Sequence, residues 1–347
     1  MKNPFCISFG RPPVNYIDRT VDKTHVIETF TLDPVTDQLF LITGVRGSGK
    51  TVFMNTIANT LEAEKDWVVL RESSESDIVN DIYSDLYRIL NPHSSELQQL
   101  SVSVAGTGIS VTKKEPPANV ITLIDDLLER LEKKGKKVLV TIDEVTNTSQ
   151  MKRFSHMFQI ECSRARQIYF LGTGLYENIR LLSDGKDMTF LHRAPKIVLA
   201  PLNKSSVAGS YSDIFGISRE RSMVMADYVQ GYSFAFQALG YTFWEHGCPD
   251  DIKEVLPDYD VLLSDASYSK IWAECSKNDQ LMLKAMAECD SENVTDIRRI
   301  CGDVPPNYFS VYRDRLIKKG IVVSPARGSL KFALPRFKEF ILNHPGE

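Results

Sequence analysis

Short apolar runs separated by polar turns recur up to residue 202, and longer amphipathic stretches follow. Residues 12 to about 30 read PPVNYIDRTVDKTHVIETF, where Val21, Val26, Ile27 and Phe30 mark a helix entered through the polar residues 18–22. DQLFLIT reads as a buried strand; a glycine-rich stretch follows it, and VFMNTIANTLEA then reads as a helix. DWVVLRE (66–72) is a second strand, and in 78–90 the residues Ile78, Ile82, Leu86 and Leu90 fall on one helical face. SVSVAGTGISVT alternates polar and apolar residues about Gly106-Thr107-Gly108, which predicts a hairpin near 101–112 inserted in the α/β pattern. After a charged helix over 119–134, KKVLVTIDEV is a strand ending in two acids, QIYFLGTG a strand ending in a polar turn, and KIVLAPL (196–202) a last short strand. Strands alternating with helices about every 30 residues predict a parallel sheet with right-handed crossovers.

From about 203 the pattern is helical, in NKSSVAGSYSDIFG, SRERSMVMADYVQG and YSFAFQALGYTFWEHG. A second change near 272–277 precedes NDQLMLKAMAEC, VTDIRRIC and PNYFSVYRDRLIKKG, then IVVS and SLKFAL. Three short helices and a two-stranded wing describe a winged helix, in which Val311, Leu316 and Ile317 read as core. The expected organisation is therefore an α/β domain over 1–202, a helical domain over 203–273 and a winged helix over 274–347.

With 347 residues, the chain is long enough for two or three domains, and 43% hydrophobic with 25% charged residues is an ordinary globular balance. No apolar run approaches the roughly 18–20 residues needed to cross a bilayer, and MKNPFCISFGRPP lacks a signal-peptide core, so a cytoplasmic protein without a membrane partner is expected. Six scattered cysteines form no C-x-x-C pair and suggest buried thiols rather than a zinc site or disulfide framework. The net charge of −4 hides an asymmetry: residues 277–345 hold 12 Lys+Arg against 8 Asp+Glu, which makes nucleic acid a partner to consider.

The glycine-rich stretch is GVRGSGKT, comprising Gly44, Val45, Arg46, Gly47, Ser48, Gly49, Lys50 and Thr51 and followed by Val52. It matches G-x-x-x-x-G-K-[ST] in the strand–loop–helix setting that the motif requires. Glycines let backbone N–H groups point inward as an anion nest at a helix N-terminus. Lys50 would neutralise the β- and γ-phosphates of ATP, or the phosphates of ADP, and Thr51 would ligate Mg2+, which takes oxygen ligands. In VLVTIDEV, Asp143 and Glu144 stand where the strand leaves the sheet, the edge at which open α/β folds bind ligands. Asp143 would hold Mg2+ and Glu144 would orient or deprotonate the attacking water. Thr173, between the glycines of FLGTG, could sense the γ-phosphate or the water, although a plain turn would read the same way.

Loop, acidic strand, polar-tipped strand, helical lid and winged helix, in this order, resemble the AAA+-type P-loop ATPases of the archaeal-ATPase family, close to the STAND and origin-recognition-initiator clade. GVRGSGKT, TIDEV, TGLYENI and RAPKIVLAPL are similar to stretches of that family. The resemblance implies an α/β P-loop NTPase fold, a parallel sheet with helices on both faces followed by a helical lid domain and a winged-helix domain. It also implies three roles. YIDRTVD is similar to the adenine-pocket box, giving Arg19 and Asp22 that part, with Asp18 in place of the usual glycine. QGYSFAFQ stands where STAND-like lids carry G-x-P, matching Gly231 and Tyr232 and placing Ser233 at the proline. Arg193 falls where related ATPases present an arginine finger to a neighbouring subunit, with Arg180 and His192 as weaker candidates.

In a DNA-reading winged helix the third helix enters the major groove of double-stranded DNA, which here would present Asn307, Tyr308, Ser310 and Arg313, with Arg327 on the wing. Winged helices also dock proteins or pack against their own ATPase domain, and Asp314 lies within this one. The functional expectation is an ATP-hydrolysing switch that couples nucleotide to self-association, a protein partner or DNA. The alternative is a non-catalytic nucleotide-binding DNA-binding regulator or scaffold.

Overall fold

Five of the apolar runs assemble side by side as a sheet of order β2-β3-β4-β1-β5. The strands are β1 (Leu39–Thr43), β2 (Trp67–Ser73), β3 (Lys137–Asp143), β4 (Ile168–Gly174) and β5 (Lys196–Val198). The computed structural model describes residues 2–8, 13–92, 119–184, 189–302 and 304–343. The hairpin expected near 101–112 lies outside the described residues.

β1 pairs β4, β4 pairs β3 and β3 pairs β2, all parallel as expected. β4 is buried along its whole length, which is why it reads as a continuous apolar run rather than an alternating one. On one face of the sheet, helices Ile78–Leu90, Val120–Glu132 and Ser149–Ser163 bury Ile82, Leu86, Leu128 and Phe158 in a single apolar cluster. An aromatic group comprising Phe30, Phe40, Trp67 and Tyr169 packs separately, with Trp67 and Tyr169 ring centroids 4.9 Å apart. The first helix runs Thr20–Thr31, entered through the polar residues 18–22 as expected. Val26 and Phe30 are buried in it but Val21 is 83% exposed, because five residues from Val26 a helical position has turned about 140° off the buried face.

The chain forms two compact units. The sheet unit comprises Thr20–Thr43 and Phe53–Ile197; the helical unit comprises Met1–Arg19, Gly44–Val52 and Val198–Glu347. In the helical unit, Asn203 caps Lys204–Phe215 by accepting from Ser205 and Ser206 N–H groups, and Ser218 caps Arg219–Val229. Ser233–Glu245 follows, then a rod over 256–273 made of Leu256–Leu263, a π-turn at Ser264–Tyr268 and Ser269–Ala273.

After the rod come Lys277–Glu288, Val294–Ile300, Pro306–Lys318, the antiparallel pair β6 (Val322–Val323) and β7 (Lys331–Phe332), and a helix Phe337–Asn343. An isolated antiparallel bridge joins Asn293 to Ser329. Ser276 and Asp279 form a capping box, and the fully buried Asp279 also accepts from the Arg315 guanidinium at 2.9 Å, tying the first of these helices to the third. Phe309 and Leu316 are buried in that third helix, but Val311 is 60% exposed, correcting its reading as core: two residues from Phe309 it points to the opposite side. One apolar cluster runs from Phe5 and Tyr211 through Tyr259 and Tyr268 to Phe337 and Ile341, so the helices before and after the rod share a core. All six cysteines are free thiols; Cys275, Cys289 and Cys301 are buried, and the other three are half-buried. Among the described residues no helix is long and apolar enough to cross a membrane.

Candidate nucleotide site

Strand β1 ends at Thr43 and the glycine loop begins at the next residue, ahead of the helix Lys50–Glu62. Gly47 and Gly49 have φ of 76° and 89°, a region that L side chains rarely adopt. A Cβ at Gly47 would also lie 2.2 Å from the Tyr232 hydroxyl oxygen, so close approach excludes a side chain there as well. The Lys50 ammonium donates to the Gly44 and Val45 carbonyls, each at 3.1 Å. Ser48 is buried and its Oγ has no hydrogen-bond partner among the described residues. A buried hydroxyl without a partner, a lysine and positive-φ glycines at the start of a thirteen-residue helix are what a bound phosphate would satisfy.

The outer side of the loop is occupied by a short segment after Gly231. The Tyr232 hydroxyl donates to the Arg46 carbonyl at 2.7 Å, the Phe234 N–H to Gly47 O at 3.0 Å and the Ser233 hydroxyl to Ser48 O at 2.9 Å. Gly231, at φ 73°, turns the chain into this segment, and its carbonyl accepts from Leu202 N–H at 2.8 Å. Arg19 joins the same group, donating to the Ala200 and Ser48 carbonyls and to Ser233 Oγ, the last two at 3.4 and 3.5 Å. Arg46 pairs with Glu274 at 2.8 Å. Of the expected binding residues, the helical unit thus brings together Arg19, Gly44–Val52, Gly231 and Tyr232. Ser233, at the proline position of the lid motif, bonds the loop as well, and Phe234 and Glu274 are additions that the sequence does not mark. Asp22 is half-buried in the first turn of Thr20–Thr31, in the sheet unit.

In the sheet unit, Asp143 ends β3 and Thr173 lies near the end of β4, its side chain fully buried. The Thr173 hydroxyl donates to Asp143 Oδ1, and the Glu144 N–H is shared between Thr173 Oγ1 at 3.2 Å and Asp143 Oδ1 at 3.1 Å. Val145 N–H donates to Thr173 O at 2.7 Å, which locks the turn to β4. Glu144 has φ 52° and is exposed, so this non-glycine residue is held in the left-handed region at the strand tip. The three residues therefore form one hydrogen-bonded corner at the C-terminal edge of the sheet, the edge at which β1 also ends. Among the described residues no group of three or more His, Cys, Asp and Glu side chains could hold a metal. The Asp143 carboxylate of this corner is a hard oxygen donor of the kind magnesium accepts.

The remaining candidates lie elsewhere. Arg193 is exposed between the short helix Thr189–His192 and β5, and it makes no ion pair among the described residues. Arg180 pairs with Glu177 at 3.1 Å, and His192 is exposed. Asn307 and Tyr308 are exposed in the first turn of Pro306–Lys318, Ser310 donates to Pro306 O, Arg313 pairs with Asp314 at 2.8 Å, and Arg327 is exposed between β6 and β7.

A β2-β3-β4-β1-β5 sheet with polar tips on β3 and β4 and a glycine–lysine loop after β1 is the AAA-type P-loop architecture. Residues 34–184 match the family model described as AAA domain, and residues 265–341 match a domain of unknown function (DUF8462). The chain is similar to the Walker-type ATPase PABY2304 of Pyrococcus abyssi, at 15% identity and a TM-score of 0.65, over 97% of this chain and 99% of that one. It is also similar to the ORC2 protein of Aeropyrum pernix, solved as ADPNP–ADP complexes, at 13% identity and a TM-score of 0.59, over 97% of this chain and 96% of that one. No curated protein sequence matches. The fold is accordingly that of an AAA-type P-loop ATPase, shared with archaeal ORC-type and Walker-type proteins and continued by a helical region.

Proposed function

We propose that the protein is an ATP-hydrolysing switch whose glycine loop binds MgATP and whose helical unit responds to it. The observation that carries this reading is the loop itself: positive-φ glycines, Lys50 and the buried Ser48 hydroxyl, unpartnered among the described residues, held by a lid segment rather than left as a bare turn. The loop is continuous in sequence with β1, and β3 and β4 carry Asp143, Glu144 and Thr173 at the same edge of the sheet.

In this reading Lys50 and the loop amides would bind the β- and γ-phosphates, and Thr51 and Asp143 would each offer oxygen to magnesium. Bound magnesium would neutralise charge on the phosphate oxygens. Thr173 fixes the Asp143 carboxylate and the Glu144 main chain, and the exposed Glu144 carboxylate would orient and deprotonate water. Arg193, exposed at the sheet unit's surface, is the residue a second copy would receive as a finger. Arg19 and Asp22 are assigned to the adenine side.

The helices 277–318 and β6–β7, with Asn293 bridged to Ser329, support a winged-helix reading for the C-terminal segment. Its partner is either duplex DNA, through Asn307, Tyr308, Ser310, Arg313 and Arg327, or a protein. A protein partner is favoured by the third helix's outward face: Tyr308 and Val311 are exposed, Arg313 is paired with Asp314, and Arg315 is engaged with Asp279. The test measures MgATP turnover across a range of protein concentrations, with and without duplex DNA. Turnover per subunit that rises with concentration supports the Arg193 role, and turnover indistinguishable from background rejects the ATPase reading. Salt-sensitive DNA binding by anisotropy would favour DNA over protein.

A further inference from the structure

The lid segment does more than cover the loop. Arg46, Gly47 and Ser48 present three consecutive carbonyls, and Tyr232, Phe234 and Ser233 bond them one each. In an anion nest the N–H groups face the ligand and the carbonyls face away, so bonds to the carbonyls fix the direction of the amides. Tyr232 is the branch point. With its proton on Arg46 O, its oxygen accepts from the Ser267 hydroxyl at 2.6 Å. Burial pushes the Tyr232 phenol well above its ordinary range, so it remains a donor.

Ser267 is buried in the π-turn Ser264–Tyr268, an irregularity that recurs at functional sites in helices. Glu274, which pairs with the Arg46 guanidinium, follows the last residue of the same rod. One loop residue, Arg46, is thus held at its carbonyl through Tyr232 and Ser267 and at its side chain by Glu274. Tyr268, next to Ser267, donates to Pro335 O at 2.5 Å and packs on Phe337 with ring centroids 4.9 Å apart, so the rod is equally tied to the C-terminal helices.

We infer that Ser267 and Glu274 are positioning residues for the phosphate loop, acting through Tyr232 and Arg46, and that the rod over 256–273 transmits the loop's state to the C-terminal helices. This rests on the nucleotide-switch reading and names its coupling element. The test is calorimetry of MgATP binding to the full chain in a double-mutant cycle. Ser267→Ala and Tyr232→Phe should each weaken binding about five- to tenfold, since each leaves a buried polar group unpaired. The double variant should be no weaker than Tyr232→Phe alone, and Ser267→Thr should restore affinity. The exposed Glu274→Gln should cost about twofold. In hydrogen exchange, MgATP should slow amides over 256–275 in the wild type and fail to do so in Ser267→Ala and in Glu274→Gln. The surface position of Glu274 keeps this readout available if Ser267→Ala does not fold.

Wild-type affinity and exchange in these variants, or additive losses in the double variant, overturn the inference. If Lys50→Ala abolishes binding while Ser267→Ala binds normally, the inference alone fails. If the wild type does not bind MgATP, the nucleotide reading fails.

Discussion

The glycine loop and the acidic corner solve similar problems with different materials. In the proposed reading the loop's working groups are main-chain amides, oriented by bonds to their carbonyls and by the Glu274 hold on the Arg46 side chain. In the corner the candidate groups are side chains, a carboxylate and a hydroxyl in direct contact with a strained Glu144 backbone. The loop should therefore fail through lost affinity and the corner through lost turnover.

Lys50→Ala gives the largest expected effect: MgATP affinity should fall more than about 100-fold by calorimetry, because the phosphates lose their main side-chain charge. An unchanged affinity breaks the loop assignment. Glu144→Gln should lower turnover by about 100-fold or more while leaving the dissociation constant nearly unchanged, as removal of a general base does. A variant that keeps its turnover would instead leave nucleotide as a structural ligand. Thr173→Val removes one hydroxyl from the corner and should cost about tenfold in turnover, with KM little changed; a loss confined to KM would move Thr173 from the corner's role to the loop's.

The smallest effect separates the two units by their response to pH. Glu72 and Glu161, both in the sheet unit, are pushed up to about 7 from 4.5, chiefly by burial, with nearby Asp81 and Asp85 adding for Glu72 and Asp125 for Glu161. The folded chain then holds protons that the unfolded chain has released, so this contribution is full below 4.5 and is lost as pH rises through about 7. The melting temperature should fall by a few degrees between about pH 5 and 8, and Glu161→Gln should flatten that slope. Hydrogen exchange should place the destabilisation in the sheet unit; a slope unchanged by the substitution removes Glu161 as its source.

Much of the fold was legible because buried parallel strands must be apolar on both faces: LFLIT, VLVTI and IYFLG have few other environments open to them. The glycine loop was legible for a related reason, since only glycine fits φ 76° beside Tyr232. The contacts of 232–234 were not legible, because a carbonyl at Arg46 or Gly47 carries no side-chain signature and its partners lie 186 or more residues away. Ser267 and Glu274 were hidden similarly, as an ordinary serine and glutamate on a helical stretch. The helix Phe337–Asn343 had a signal that the reading passed over, with Phe337, Phe340 and Ile341 at helical spacing and all buried. Val21 and Val311 mislead in the opposite direction: valine suggests an interior, but the angle around the helix decides.

The continuous apolar cluster of the helical unit limits how this molecule can be dissected. A fragment ending near residue 275 would leave the rings of Tyr268 and Trp272 wet, and one starting there would strip the cover from Phe337 and Phe340. Neither half would make a soluble reagent, so questions about the tail are best asked of the intact polypeptide carrying single substitutions.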